Sequence, residues 1–381
     1  MKYYFIVYII LPALRRTIDR AATAADVKLD AANTIPYDNG NTMQPFDAAR
    51  SLGHRRAKTG IAAFFIFLLG VGLGIAGTIL SSRSPLTSNS LREVRQGKYT
   101  LVNPLLECDQ GQEYLAQHLR PFRYDMVQLV DNMVDDGRAS KISVYFRDLN
   151  NGPWFGIHEQ DDFIPASLLK VPILMTVYRL RRDNPELLRS VIPYRDAGSS
   201  AYTQHIQTPE QTPGASFTVE ELAMMMVKYS DNNAATLLKN AVGDDALEKT
   251  FQDLGLVAPG GQDYFITAKT YASFFRILYN ASYLGINESE QVLRLLTETD
   301  FKKGLPAGVG PGVSVAHKFG ERGQKDSPDK QLHDCGIIYH PQRPYLLCIM
   351  TRGSDFDALV KIIRDISAFT YHRIEQQFGD G

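Results

Sequence analysis

Cysteine is scarce. Three residues, Cys108, Cys335 and Cys348, stand in a chain of 381. That is too few for a disulfide scaffold, and none sits in a Cys-x-x-Cys spacing that would suggest a thiolate metal site. Cys335 and Cys348 fall on apolar segments expected to be neighbouring strands, and they read as buried thiols rather than a bridge. An excess of one charge sign is also lacking. Lys and Arg number 41 against 42 Asp and Glu, for a net charge of −1. A chain so balanced has no electrostatic footprint for nucleic acid. Long apolar runs are lacking with one exception, which excludes a multi-span membrane protein. No internal repeat is visible, and 44% hydrophobic with 22% charged residues is an ordinary globular composition.

The exception is Ile61–Leu80, IAAFFIFLLGVGLGIAGTIL, which carries no charge. A helix of this length rises about 30 Å, matching a bilayer core, and predicts one transmembrane helix over 61–80 that anchors the chain in a lipid bilayer. Arg55, Arg56 and Lys58 precede it, and only Arg83 lies in the ten residues that follow. That step places the N-terminus in the cytoplasm and the larger part outside the cell membrane. Residues 1–60 read as a cytoplasmic tail, largely disordered, and 81–104 as a linker. A shorter apolar run, Tyr3–Leu14, is too short to span. It fits a signal-peptide core, an interfacial segment, or an extended start ahead of Met43.

From residue 105 the pattern is that of a folded domain reaching 381. Met126, Val127, Leu129, Val130, Met133 and Val134 recur at helical spacing before Gly137. KISVYFRDL alternates as a strand, and Asn150-Asn151-Gly152-Pro153 turns it into a return strand at Trp154–Ile157. From Ser167 to about Lys249, and again over Ala268–Ala281, the spacing is helical. Strands resume at 313–319, 335–340 and 345–351, and an amphipathic helix closes the chain at about 355–378. Strands that bracket a block of helices predict an α+β fold. Five strands form one antiparallel sheet, the terminal helices cover one face, and the central block makes an all-helical lobe. A cleft between sheet edge and lobe is the natural site.

Three short motifs carry chemistry. Ser167-Leu168-Leu169-Lys170 puts a hydroxyl and an amine on one side of a helical turn. A serine is a weak nucleophile until a base takes its proton, and a desolvated lysine can serve. Pro172 should kink the helix or confine Ser167–Val171 to an irregular first turn. Ser230-Asp231-Asn232 lies between two helical patterns. The serine can relay a proton and the amide can hold a carbonyl or orient the lysine, while Ser or Asp equally suits the cap of the second helix. Lys318-Phe319-Gly320 sits on a late strand, where a lysine can attract a carboxylate and a glycine permits close backbone approach. Each motif alone is common; their order is not. His317, His333, Asp334 and His340 lie near the third motif, but no three-ligand geometry is suggested, so neither metal nor cofactor is expected.

With spacings of 63 and 88 residues between Ser167, Ser230 and Lys318, the chain resembles the class A β-lactamase and penicillin-binding protein superfamily of serine hydrolases. That family's motifs are Ser-x-x-Lys, Ser-Asp-Asn and Lys-Thr-Gly. Leu305-Pro306-Ala307-Gly308 adds to the likeness, which covers about residues 105–378. The resemblance implies that Ser167 attacks a β-lactam or the D-alanyl end of a peptidoglycan stem peptide, with Lys170 as base. It implies that Ser230 passes a proton to the leaving nitrogen and that Asn232 positions substrate and Lys170. Lys318, Phe319, Gly320 and Glu321 would line the substrate-binding edge, and the oxyanion hole would use the N–H groups of Ser167 and Glu321. Two departures stand out. Phe319 replaces a threonine whose hydroxyl would help bind a substrate carboxylate. The loop glutamate that activates the deacylating water is missing from Leu254–Thr267, where Asp263 is the sole carboxylate and reads as a solvated loop residue. Deacylation is therefore expected to be slow. The competing reading is a non-hydrolytic penicillin- or peptidoglycan-binding sensor module.

Overall fold

A computed structural model describes residues 93–95, 99–108, 119–150, 152–196, 214–260, 264–323 and 328–378. All lie in the second of two compact units, Thr87–Gly381. The expected membrane segment Ile61–Leu80 and the tail before it lie outside the described residues, and among the described residues no helix is long and apolar enough to cross a membrane. Part of the stretch read as a linker is structured. Strand β1 (Glu93–Arg95) pairs antiparallel with β2 (Leu105–Cys108). Between them Leu101 and Val102 are buried, and their N–H groups donate to Glu290.

Helix α1 (Leu119–Asp135) buries Leu119, Phe122, Met126, Val130 and Met133, the one-face spacing of an amphipathic helix. It stops at Gly137, whose φ of +71° suits the left-handed position after a helix end. The hairpin β3 (Lys141–Asp148) and β4 (Trp154–Ile157) follows, then a short strand β5 (Asp162–Phe163). The helical lobe holds α2 (Lys170–Leu180), a small ribbon of β6 (Val191–Pro193) and β7 (Ser216–Thr218), then α3 (Val219–Lys228), α4 (Asn232–Val242) and α5 (Asp244–Asp253). Strand β8 (Ile266–Thr267) pairs with β5 and leads into α6 (Ala268–Tyr279) and α7 (Ile286–Thr297). Thr218 and Glu221 close a reciprocal capping box on α3, satisfying two N–H groups that the helix leaves open.

The chain ends with β9 (Val315–Arg322), β10 (Lys330–Ile338), β11 (Tyr345–Gly353) and α8 (Phe356–Phe378). The sheet is antiparallel in the order β4-β3-β11-β10-β9. It is the expected five-stranded sheet, with two strands from before the helical block and three from after it. Both faces are covered. Ile142, Val144, Phe146, Leu347 and Ile349 join α1 and α8 in one core, and Tyr145, Ile337, Leu346, Cys348 and Met350 join the helical lobe in another. Double burial explains why β11 reads as a continuous apolar run rather than an alternating one. Site chemistry depends on β9, the edge strand that packs against the turn of Ser167.

One expectation is corrected. Cys335 and Cys348 form a disulfide. The β10–β11 register sets them directly opposite one another with Cα atoms 3.9 Å apart. The sequence places both on strands, but only the register decides whether their side chains meet.

Candidate active site

Ser167 lies in a 3-10 turn, Ala166–Leu169, that runs straight into α2. Pro172 confines the irregularity to this first turn. Having no N–H, it cannot donate to the carbonyl of Leu168 four residues back. The Tyr271 hydroxyl donates to that carbonyl instead, at 3.0 Å. Ala166, just before the nucleophile, holds a φ of +48°, and Ser230 one of +57°. Non-glycine residues are rare in this region and cost of order 1–3 kcal/mol where they are held there. Both strained positions flank or form the site, and each is overdetermined by its surroundings.

The surroundings are specific. Gln331 accepts from the Ile164 N–H at 3.1 Å, and the His333 Nε2 lies 3.1 Å from the Ile164 carbonyl. His333 Nδ1 accepts from the Thr351 N–H, so the proton sits on Nε2 and the ring is neutral. Strand β10 thus grips both backbone groups of the residue that leads into Pro165-Ala166-Ser167. From the other side, Asp231 caps α4. Its Oδ1 accepts from the Ala234 N–H and its Oδ2 from the Tyr194 hydroxyl. The capping role and the chemical role therefore divide within one motif: Asp231 caps while Ser230 and Asn232 face the lysine.

Lys170 is the hub. Its Nζ lies 2.8 Å from Ser167 Oγ, 2.6 Å from the Ser230 carbonyl, 3.0 Å from Ser230 Oγ and 2.7 Å from Asn232 Oδ1. The two carbonyl oxygens can only accept. A neutral amine gives them its two N–H bonds and keeps its lone pair for the Ser167 hydroxyl. Burial lowers the Lys170 pKa to about 7, against partial support for its charged form from Asp231 and Glu321. Lys318 is fully buried and its Nζ donates to Ser230 Oγ at 2.9 Å and to the Phe319 carbonyl at 2.8 Å. Burial, then repulsion from Lys170, holds its pKa well below the ordinary lysine value. Ser230 Oγ therefore bridges two lysines whose charged forms burial disfavours.

All three motifs converge, and Gly320 shows how closely. A Cβ there would stand 2.8 Å from the Pro165 carbonyl and 3.1 Å from the Leu168 nitrogen. Glycine lets β9 approach the nucleophile's own turn, not only a substrate. Phe319 lies elsewhere than a substrate-facing threonine would. It is 2% exposed, packs its ring 4.7 Å from that of Phe301, and stands under the Lys318 ammonium at 4.0 Å. Glu321 has one carboxylate oxygen shielded from solvent and acts electrostatically on both lysines. Asp263 lies outside the described residues. The sequence reading missed Tyr271 and Gln331. Neither gave a signal: Gln331 stands beside Lys330, His333 and Asp334 on a strand of mixed polarity, and Tyr271 lies at core spacing on α6.

The fold and the sequence both have counterparts among known proteins. Residues 126–374 match the sequence profile of the β-lactamase enzyme family. The chain belongs to that family. Beta-lactamase 3 of Bacillus cereus is 27% identical over 240 residues, covering 58% of this chain and 72% of that relative. PBP-A, solved alone and as a mutant acyl-enzyme with penicillin G, shares the fold at a TM-score of 0.58 and 22% identity, over 68% of this chain and 97% of PBP-A. A β-lactamase from Chitinophaga pinensis superposes at 0.58 with 20% identity, over 65% and 98% of the two chains. The family is one of serine hydrolases of the β-lactamase and penicillin-binding type, and the α+β architecture is theirs.

The neutral His333 carries a stability prediction. Burial lowers its pKa from 6.5 to about 4. The folded state takes up its proton later than the unfolded state does. Its contribution is therefore complete above pH 6.5 and lost as pH falls toward 4, on the order of 3 kcal/mol in all. The melting temperature should drop across that window, and His333→Gln, which cannot titrate, should flatten the drop. An equal slope in both proteins would show that other groups govern acid unfolding.

Proposed function

We propose that this family member is a membrane-anchored, extracytoplasmic serine hydrolase. Its Ser167 is acylated by a β-lactam or a D-alanyl peptide, with cleavage of the amide bond and slow release of the acyl group. The observation that carries the reading is the Lys170 amine, whose charged form burial disfavours, with its Nζ 2.8 Å from Ser167 Oγ. In the first half-reaction the Ser167 oxygen bonds to the carbonyl carbon and its proton passes to Lys170. Ser230, between Lys170 and Lys318, delivers a proton to the nitrogen as the C–N bond breaks. The backbone N–H groups of Ser167 and Glu321 serve the developing oxyanion.

Nitrocefin hydrolysis by the full chain, set beside Ser167→Ala, tests the catalytic claim, and equal rates would end it. The anchor is Ile61–Leu80, and the charge step across it supports an outer catalytic domain. Protease added to intact spheroplasts should remove residues beyond 81 and leave the tail protected. Full protection of the C-terminal domain would reverse the topology and remove a cell-wall substrate from reach. In the sensor reading Ser167 is acylated or only binds ligand, with negligible turnover; a covalent adduct with fast release supports the enzyme, and an empty Ser167 supports binding only.

A further inference from the structure

Resting on the acyl-transfer reading above, we infer that Asp334 is a positioning residue of this site. From the far face of the sheet its buried carboxylate balances the Lys318 ammonium, which in turn keeps Ser230 supplied with the proton that the leaving nitrogen takes. Asp334 touches none of the reacting groups, yet it is fully buried, and so is its partner His317. A carboxylate is kept in so dry a place only where its hydrogen bonds and its charge are matched. The bonds are matched. Asp334 Oδ1 lies 2.8 Å from His317 Nδ1, and Oδ2 accepts from the Leu305 N–H at 2.9 Å. His317 Nε2 is buried and, among the described residues, has no hydrogen-bond partner, so a second proton on the ring would be stranded there. The ring's one proton sits on Nδ1, Asp334 accepts it, and the pair carries one net negative charge. Gly304 leaves the room for this, since a Cβ there would collide with Asp334 Oδ2.

The charge is matched across the sheet. Register sets Asp334 opposite Phe319 and Cys335 opposite Lys318, so the carboxylate stands one step along the ladder from the lysine. Leu332 and Ile338, on the Asp334 side of β10, pack with α1 and α8, whereas Lys318 turns to Ser230. Burial and then Lys170 on α2 oppose the Lys318 charge, while Asp334 and then Glu321 favour it. Asp334 has no exposed surface and is the less screened of the two carboxylates. Burial, then Asp334, raises the Tyr271 pKa well above its ordinary value, so that hydroxyl on α6 stays a neutral donor. As the C–N bond breaks, its electron pair takes the Ser230 proton, and Ser230 Oγ takes one from Lys318 Nζ 2.9 Å away. Lys318 ends neutral, while Lys170, holding the Ser167 proton, ends charged. One positive charge thus passes from one lysine to the other, and their mutual repulsion helps to move it.

The test is the pH profile of Ser167 acylation by penicillin G in the full chain, followed by intact-mass spectrometry from pH 5.5 to 10. The wild type should rise near pH 7 as Lys170 loses its proton and fall at alkaline pH as Lys318 loses its own. Asp334→Asn removes the charge and keeps the shape. Its alkaline fall should move toward neutral pH by about one unit or more, a loss of about 10-fold on that side. Its rise should stay in place, because the Lys170 charge answers to Asp231 and Glu321 instead. Glu321→Gln should move both limbs toward acid, since Glu321 acts on both lysines. Should Asp334→Asn fail to fold by circular dichroism, Asp334→Ser removes the same charge and the limbs are read there. A purely structural role for Asp334 would lower the rate evenly across pH. That even loss, equal movement of both limbs, or a wild type with no alkaline fall would overturn the inference and leave the acyl-transfer reading standing. No acylation of the wild type at any pH would overturn that reading, and this one with it.

Discussion

Replacing Lys170 with methionine should slow acylation of Ser167 by about 10²- to 10⁴-fold, the range spanned by positioned general bases. Methionine fills much of the same volume, but it offers neither the lone pair that receives the serine proton nor the two N–H bonds that hold Ser230 and Asn232. Both carbonyl oxygens would lose that donor, at up to about 1–3 kcal/mol where the oxygen is buried. The pH profile distinguishes a base from a mere spacer. With the Lys170 pKa near 7, the neutral fraction grows as pH rises through 7. Acylation by the native protein should climb with it and level off above. In Lys170→Met the residual rate should lose that rise. The second-order acylation constant, measured by mass spectrometry from pH 5.5 to 8.5, checks both. A variant within 10-fold of native, or one that keeps the rise near pH 7, would transfer the base role to another group.

This assignment could be read from the sequence because it depends on local geometry. Residues three apart on a helical turn share a side, whatever the rest of the fold does, so Ser167 and Lys170 are paired before any tertiary contact is known. The sheet was legible for a similar reason. Period-2 and period-3.6 patterns identify the elements, and five strands around a helical block allow few packings. What stayed hidden depends on register and strand facing. The Cys335–Cys348 bridge needs β10 and β11 aligned to the residue. Phe319 was read as facing substrate because its motif position does so by resemblance; packing against Phe301 has claimed the ring instead. The grip of Gln331 and His333 on Ile164 spans more than 160 residues of sequence, a distance over which no pattern of spacing carries information.

An acyl-enzyme on Ser167 should persist for minutes or longer after a penicillin pulse, because the second half-reaction lacks a part that the first half-reaction has. Water is a poor nucleophile until a base removes its proton, and that base must reach the open face of the ester. Across Leu254–Thr267 the described residues offer no carboxylate, and Asp263 is the one acid in the segment. Glu321 borders the nucleophile, but its charge is directed to Lys170 and Lys318, whose protonated forms it favours. Intact-mass spectra of the full chain taken from seconds to hours after the pulse should show one added penicilloyl group that a peptide map places on Ser167. Glu321→Gln should leave its lifetime within a few-fold of native. Release within milliseconds would mean a competent base is present. If Glu321→Gln or Asp263→Asn then stretched that lifetime by about 10²-fold or more, on the scale of general-base catalysis, the altered residue would be that base. The protein would then be an efficient hydrolase rather than a trap for its own substrate.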